Sequence, residues 1–438
     1  MNPNPDRRRL ATGGGRAGRQ ALRRLWRRLR GINERCISLP PIGRSDTAAP
    51  RGRVLLSYIL DGVMVRSEQD LPHSHPHFWE TWAMARVFQE EGYAVDVIHW
   101  TRRSPLPRAD YDIYVDVRRN FDRHAAVLPP ACLKIAHMDT AHFRVHNGNQ
   151  DARLQALQRR RGIVLPPFKR VEENRAAEQA DRITILGNAF TAESFAYAGT
   201  PVHRIRLSNA FVYPFPENKD FGRVRHRFLW MGSEGFIHKG LDLVLEAFRE
   251  LPRHELVVCG PLGSETDFVK AFSDLLFNTP NIHVEGWVDV ASPRFRELAD
   301  SCLGMVYPSC SEGGGGCVIT AMHAGLIPIV SRETSVDLDA DCGILLPESS
   351  VEAIVAAVRQ LSGASPARLA LMARAAWSRV RENHTRDQFM KDYRAFVRGL
   401  PAAIQEKRRG LQAQALTPHE QAAGRGQECR GQECRGNE

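Results

Sequence analysis

Residues 304–330 read GMVYPSCSEGGGGCVITAMHAGLIPIV, and this stretch decides how the rest of the chain is parsed. A short apolar run, Gly304 to Tyr307, breaks at Pro308 into polar turn residues. Four glycines follow at 313–316, a helical stretch opens near Val318, and a second apolar run spans Ile327 to Val330. Strand, loop, helix and strand in that order form the repeating unit of a parallel α/β sheet. Gly313, Gly314, Gly315 and Gly316 let the backbone come close to a ligand, and the unpaired amides of a helix start point at it. A phosphate or diphosphate suits such a place, at the carboxyl end of a strand in an open sheet. A merely flexible glycine loop is the competing reading.

Working outward, the same alternation runs in both directions. Apolar runs near Val54 to Leu60, Ala94 to Ile98, Asp112 to Val117, Leu133 to His137 and Ile183 to Leu186 predict a first set of strands. Helices are expected near Phe78 to Glu91 and Arg170 to Asp181. After the punctuation of Pro214, Pro216 and Gly222, runs near Arg227 to Met231, Leu256 to Cys259, Ile282 to Glu285, Gly304 to Tyr307 and Ile327 to Val330 predict a second set. The expected fold is α/β, two Rossmann-like domains over residues 51–215 and 216–384.

The 438 residues, 43% hydrophobic and 25% charged, have globular composition. The net charge of +10 is concentrated at the start, where residues 1–30 hold ten arginines against the single acid Asp6. The body is therefore nearly neutral, and no nucleic-acid partner is inferred. Residues 1–50 read as a mostly disordered leader. Within it Leu22, Leu25, Trp26, Leu29 and Ile32 fall at helical spacing among arginines, a pattern suited to an anionic membrane surface through residues 20–32. A solvated leader and a transit peptide are the alternatives. The polar tail, 401–438, ends in the direct repeat Arg425 to Cys429 and Arg430 to Cys434 and reads as disordered low complexity. Nine cysteines without a Cys-x-x-Cys pair point to a reducing cytoplasm, with attachment to the inner membrane face left open. No apolar run is long enough to span a membrane.

A second chemical feature is residues 228–243, FLWMGSEGFIHKGLDL, again a strand, a glycine-bearing turn and a helix. Lys239 stands at the entrance to that helix, where its ammonium acts as a point charge on phosphate.

Taken together these motifs resemble the retaining GT-B glycosyltransferases often called family 4. The turn ending in Lys239-Gly240 matches the family's Gly-Arg-x-x-x-x-Lys-Gly turn with one extra residue. Val257-Val-Cys-Gly260 and Glu285-Gly-Trp-Val288 match its next two strand exits. Then come Tyr307 to Gly316, matching Pro-Ser-x-x-Glu-Gly-x-Gly, Ala321 to Val330, matching Ala-Met-x-x-Gly-x-Pro-x-Val, and Gly343 to Pro347, which looks like the closing strand. The resemblance implies transfer of a sugar from a nucleotide-diphosphate donor to an acceptor glycan or lipid-linked glycan, with retention and no obligatory metal or other cofactor. It implies catalytic roles for Lys239 at the departing phosphate, Glu312 at the donor sugar and His137 near the transferred sugar. It implies donor binding by Gly232, Ser233, His238, Gly313, Gly314, Gly315, Gly316 and Thr320. It further implies that a helix over residues 385–400 crosses back to the first domain. Two positions depart from the pattern: Thr320 stands where relatives carry a ribose-binding Glu, and Ser233 where they carry a phosphate-binding Arg. A catalytically degenerate module that binds nucleotide or carbohydrate, or scaffolds a partner, is the alternative they leave open.

The first domain shows weaker signals. His73, His75 and His77 alternate, but Pro72 and Pro76 suit a loop and no fourth metal ligand is indicated. His137 is expected to project from a strand end toward the cleft, with Asp139 and His142 nearby, and a purely structural histidine is the competing reading. Asp337, Asp339 and Asp341 lie in a turn and read as solvated loop acids.

Overall fold

The computed structural model describes residues 31–43, 49–71 and 75–428. The leader pattern from Leu22 to Leu29, His73 and the end of the terminal repeat lie outside the described residues. Two sheets organise the rest. The first contains β1 (Cys36–Leu39), β2 (Arg53–Tyr58), β3 (Ala94–His99), β4 (Ile113–Asp116), β5 (Leu133–Met138), β6 (Arg182–Ile185) and β7 (Val202–Arg204), in spatial order β1-β3-β2-β4-β5-β6-β7. Only β1 runs antiparallel to its neighbour. The second contains β8 (Arg227–Met231), β9 (Glu255–Cys259), β10 (Ile282–Gly286), β11 (Gly304–Tyr307), β12 (Ile327–Val330) and β13 (Ile344–Leu345), all parallel, in the order β10-β9-β8-β11-β12-β13. β4, β5, β11 and β12 are buried at every residue, as strands covered on both faces must be, which is why they read as unbroken apolar runs.

The second sheet has the doubly wound order in which strand order reverses between β8 and β11, and such a switch point opens a crevice at the strand carboxyl ends. Lys239 follows β8 and Glu312 follows β11, so topology alone brings both to one crevice.

The helices that matter for the site are α1 (Pro76–Glu90), α2 (Phe143–Arg161), α3 (Leu241–Arg249), α4 (Gly316–His323), α5 (Val351–Gly363), α6 (Pro366–Asn383) and α7 (Arg386–Glu428). α1 starts where Pro76 supplies a preset φ at the first helical position and the His75 side chain accepts from the His77 amide. One hydrophobic core runs through both domains, and a smaller one fills the other face of the first sheet around Leu55, Tyr114 and Ala136.

Three sequence expectations are corrected. Residues 36–39, placed in the disordered leader, form the edge strand β1, held by Ser38 Oγ donating to Asp96 Oδ1 at 2.5 Å. Arg170 to Asp181 is helical only over Ala176–Gln179. Its preceding backbone is instead satisfied by α2, through Asn147 Nδ2 to Val171 O (2.9 Å) and Val171 N to Asn147 Oδ1 (3.0 Å). The last helix does not end near Leu400. Ala403 and Ile404 are buried, and Lys407 Nζ reaches Asp181 (2.5 Å) and the Cys132 carbonyl (2.9 Å). α7 packs on α1, with Phe389 edge-on to Trp79 at 5.6 Å and Tyr393 edge-on to Phe88 at 5.8 Å. No described helix is long and apolar enough to cross a membrane.

Candidate active site

Lys239 and Glu312 meet. Lys239 Nζ donates to Glu312 Oε1 at 2.9 Å, and the same oxygen accepts from Tyr307 Oη (2.9 Å) and Ser309 Oγ (3.1 Å). Burial works against both charges. The lysine and the hydroxyl donors outweigh it at Glu312, whose carboxyl is held down at about 2, and Glu312 in turn raises Lys239. The site therefore holds a committed ion pair with the ammonium on the face of Tyr307, 5.7 Å from the ring centre.

Glycines shape the walls. A methyl on Gly232 would come within 2.7 Å of Trp230, so only glycine lets the turn fold over that ring. The Glu312 amide is spent on Glu333 O (2.8 Å), and those of Val318 and Ile319 on Gly315 O (2.8 and 3.1 Å). The amides of Gly313 to Cys317 between them bond to no other described residue, leaving a run of donors at the start of α4. Ser233 is exposed on the opposite turn.

Two donor-site candidates have prior commitments. His238, 3% exposed, places Nε2 on Ser311 O at 2.6 Å while Nδ1 faces Gln150 Nε2 (3.1 Å) and Cys310 Sγ (3.3 Å). Burial pushes its pKa down to about 3, so a neutral ring braces the 309–311 turn from behind. Thr320 Oγ1 donates to Asn209 Oδ1 (3.0 Å) and lies 2.9 Å from Gly316 O.

The first domain closes the crevice. Gly313 sits against Asp139, where a methyl would stand 2.0 Å from the carbonyl oxygen. Asp139 is paired with Arg118, a non-glycine residue at φ 65, a conformation that costs about 1–3 kcal/mol and persists only where the surroundings enforce it. Burial opposes the Asp139 charge, but Arg118 and His77 hold the carboxyl at about 2. His77 Nδ1 contacts Glu80 Oε2 at 2.7 Å and its Nε2 lies 3.7 Å from Asp139 Oδ2, so acid, imidazole, acid and guanidinium form one chain. His137, 1% exposed, places Nδ1 on Thr184 Oγ1 at 2.8 Å and leaves a buried Nε2 without a partner; burial lowers its pKa to about 4. The His146 ring lies 4.6 Å from that of His238, so the first domain meets the donor turn here. Tyr307 and Ser309 lay within the motif but carried no separate signal, and Arg118 had none.

Among the described residues no group of three or more His, Cys, Asp or Glu side chains is arranged to hold a metal ion. Asp337 and Asp339 are paired with Arg204 and Arg379.

Two doubly wound domains facing across such a crevice define the GT-B architecture. Residues 225–363 match the family model described as Glycosyl transferases group 1. The matched stretch lies within the second domain, and the two-domain fold around it is GT-B-like. Among solved structures it is similar to the sucrose-phosphate synthase of Thermosynechococcus elongatus, with 13% identity, a TM-score of 0.56, and coverage of 81% of this chain and 100% of that one. It is also similar to HepE of Anabaena solved with UDP-glucose, with 11% identity, a TM-score of 0.53, and coverage of 80% and 100%. No protein with a curated description matches the chain.

Proposed function

We propose that the crevice between β8 and β11 binds the diphosphate of a nucleotide sugar, and that the enzyme passes the sugar, with retention, to a glycan or lipid-linked glycan entering along the first domain. The observation that carries this is the meeting of Lys239 and Glu312 beside the free amides of Gly313 to Cys317. Cleaving the bond between sugar and phosphate develops negative charge on the departing oxygen. Fixed donors aimed at that charge in a water-poor site lower the barrier, and they need no reorganisation when the bond breaks. Lys239 is oriented by its bond to Glu312, and the amides by the start of α4. Glu312 keeps one oxygen on Lys239, Tyr307 and Ser309 and turns the other to hydroxyls of the donor sugar. His137 offers its unpartnered Nε2 to the transferred sugar.

A uridine donor, of the kind bound to HepE, is the first to try. The test is calorimetric titration with UDP, GDP and ADP without added metal, followed by NMR assignment of the product's anomeric configuration. One nucleotide should bind with micromolar affinity and lose about tenfold or more in Lys239→Ala, as expected for a charge-assisted contact, with a melting curve confirming that the variant folds. Inverted product would refute retention. Absence of binding by all three nucleotides would favour a non-catalytic module, a reading that Ser233 and the occupied hydroxyl of Thr320 support.

A further inference from the structure

An ammonium group partly withdrawn from water gains from a counter-charge, because desolvation penalises it. Lys169 lacks one. The chain leaves α2 at Gly162, φ 69, and the stretch that follows passes the second domain's turn at Gly235. It is pinned by Lys169 O against His146 Nε2 at 2.7 Å and by the two Asn147–Val171 bonds. This lays the Lys169 stem on the turn after β8, where a methyl on Gly235 would come within 2.6 Å of Lys169 Cγ and 3.2 Å of Cε.

The ammonium thereby reaches the neighbourhood of Lys239, Glu312, Glu234 and Glu265 and feels the charge of each, yet it forms no ion pair with a described carboxylate. The acids beside it are otherwise engaged. Glu312 is bonded by Lys239, Tyr307 and Ser309, and Glu265 accepts the amides of Gly235 and Phe236. That second arrangement also withdraws those two amides from any ligand, and Ser233 adds no charge to the turn. Burial first and the like charge of Lys239 second lower the pKa of Lys169, and they outweigh the upward pull of Glu312, Glu234 and Glu265.

We infer that Lys169 is a second cation for the donor diphosphate, reaching from the first domain to the phosphates that Lys239 meets in the second. The inference rests on the nucleotide-sugar reading above. It gives the bound diphosphate a grip on both domains at once.

The test compares wild type, Lys169→Met, Lys169→Arg and Lys239→Ala by calorimetry. The titrants are inorganic pyrophosphate and whichever of UDP, GDP and ADP binds, each at several salt concentrations. Lys169→Met should weaken both titrants about tenfold and flatten the salt dependence of binding, because one fewer charge contacts the ligand. Lys169→Arg should stay within about threefold of wild type. A side chain that only props the turn would change affinity without changing the salt slope, and that outcome overturns the inference. So does Lys169→Met binding like wild type while Lys239→Ala does not, which leaves the nucleotide-sugar reading standing. Wild type that binds no nucleotide and no pyrophosphate overturns both. Lys169 is half-buried in an extended segment, and Lys169→Gln serves as the second neutral variant if methionine fails to fold.

Discussion

At Gly313 a single hydrogen atom separates the domains. A methyl there would stand 2.0 Å from Asp139 O, 2.4 Å from Asp139 C and 2.8 Å from Thr140 N, all backbone atoms that cannot swing aside. Gly313→Ala must therefore push the donor loop back or part the domains, at the cost of about 1–3 kcal/mol typical of overpacking. We expect it to lower the melting temperature and weaken nucleotide binding. Gly316→Ala, whose methyl meets only Leu207 Cδ2 at 3.3 Å, should do much less. Equal losses in the two variants, measured by thermal melting and calorimetry, would show that the interdomain contact is not what constrains the loop. The glycine run was legible as a place for close approach, but the partner was not. Gly315 at φ 56 and Gly314 at φ 137 need glycine for local backbone reasons, whereas Gly313 needs it because of a chain segment some 170 residues away, about which local sequence carries no information.

At the scale of elements, α2 explains both a strength of the fold and a gap in the reading. The strands were legible because burial on both faces leaves an apolar run. α2 was not, although its buried residues His146, Gln150, Arg153 and Leu157 keep helical spacing, because three of the four are polar and apolar periodicity is silent. They are polar because the helix spans the domain boundary through hydrogen bonds: Asn149 Nδ2 to Cys310 O (2.9 Å), Gln150 to His238 (3.1 Å) and Arg153 Nη2 to Pro308 O (2.9 Å). Its last turn adds Arg160 to Asp242 (2.8 Å) and Glu246 (2.8 Å). Asp242 is fully buried, and without Arg160 its remaining cation is Arg153 at 4.0 Å. Arg160→Met should therefore cost about 3–5 kcal/mol in urea denaturation, the penalty of stranding a buried charge. Adding Asp242→Asn should recover part of it. A loss that the second substitution deepens would mean that packing of the arginine stem, rather than the stranded charge, carries the effect.

For the whole molecule, the decisive titrating groups are histidines held neutral where elements and domains join. Burial pushes His238 down to about 3, and His137, His323 and His384 down to about 4. His238 links α2 to the donor turn, while His384 Nδ1 faces Leu207 O at 3.1 Å and its own carbonyl accepts from His323 at 3.0 Å, where α6 gives way to α7. An unfolded histidine takes up its proton near pH 6.5, so between there and pH 4 the unfolded chain binds more protons than the folded one. Stability then falls as pH falls, by about 1.4 kcal/mol per histidine one unit below 6.5. Asp116 acts in the opposite sense: burial raises it to about 7, so the fold holds its proton across this window and gains stability on acidification. Burial raises Asp242 and Glu265 too, and these three carboxyls are outnumbered by the four histidines above together with His124, His146 and His254, all lowered by burial. Glu312 and Asp139 stay charged in the fold down to about 2, so their contribution is intact above the unfolded carboxylate range and does not shape the pH 5–7 region. The melting temperature should therefore drop steeply from pH 7 to pH 5, and His238→Gln, which keeps a hydrogen-bonding side chain but cannot charge, should make that slope shallower. A flat profile across the same range would mean that these rings acquire protons without leaving their sites, and that the domain junctions are looser than their burial implies.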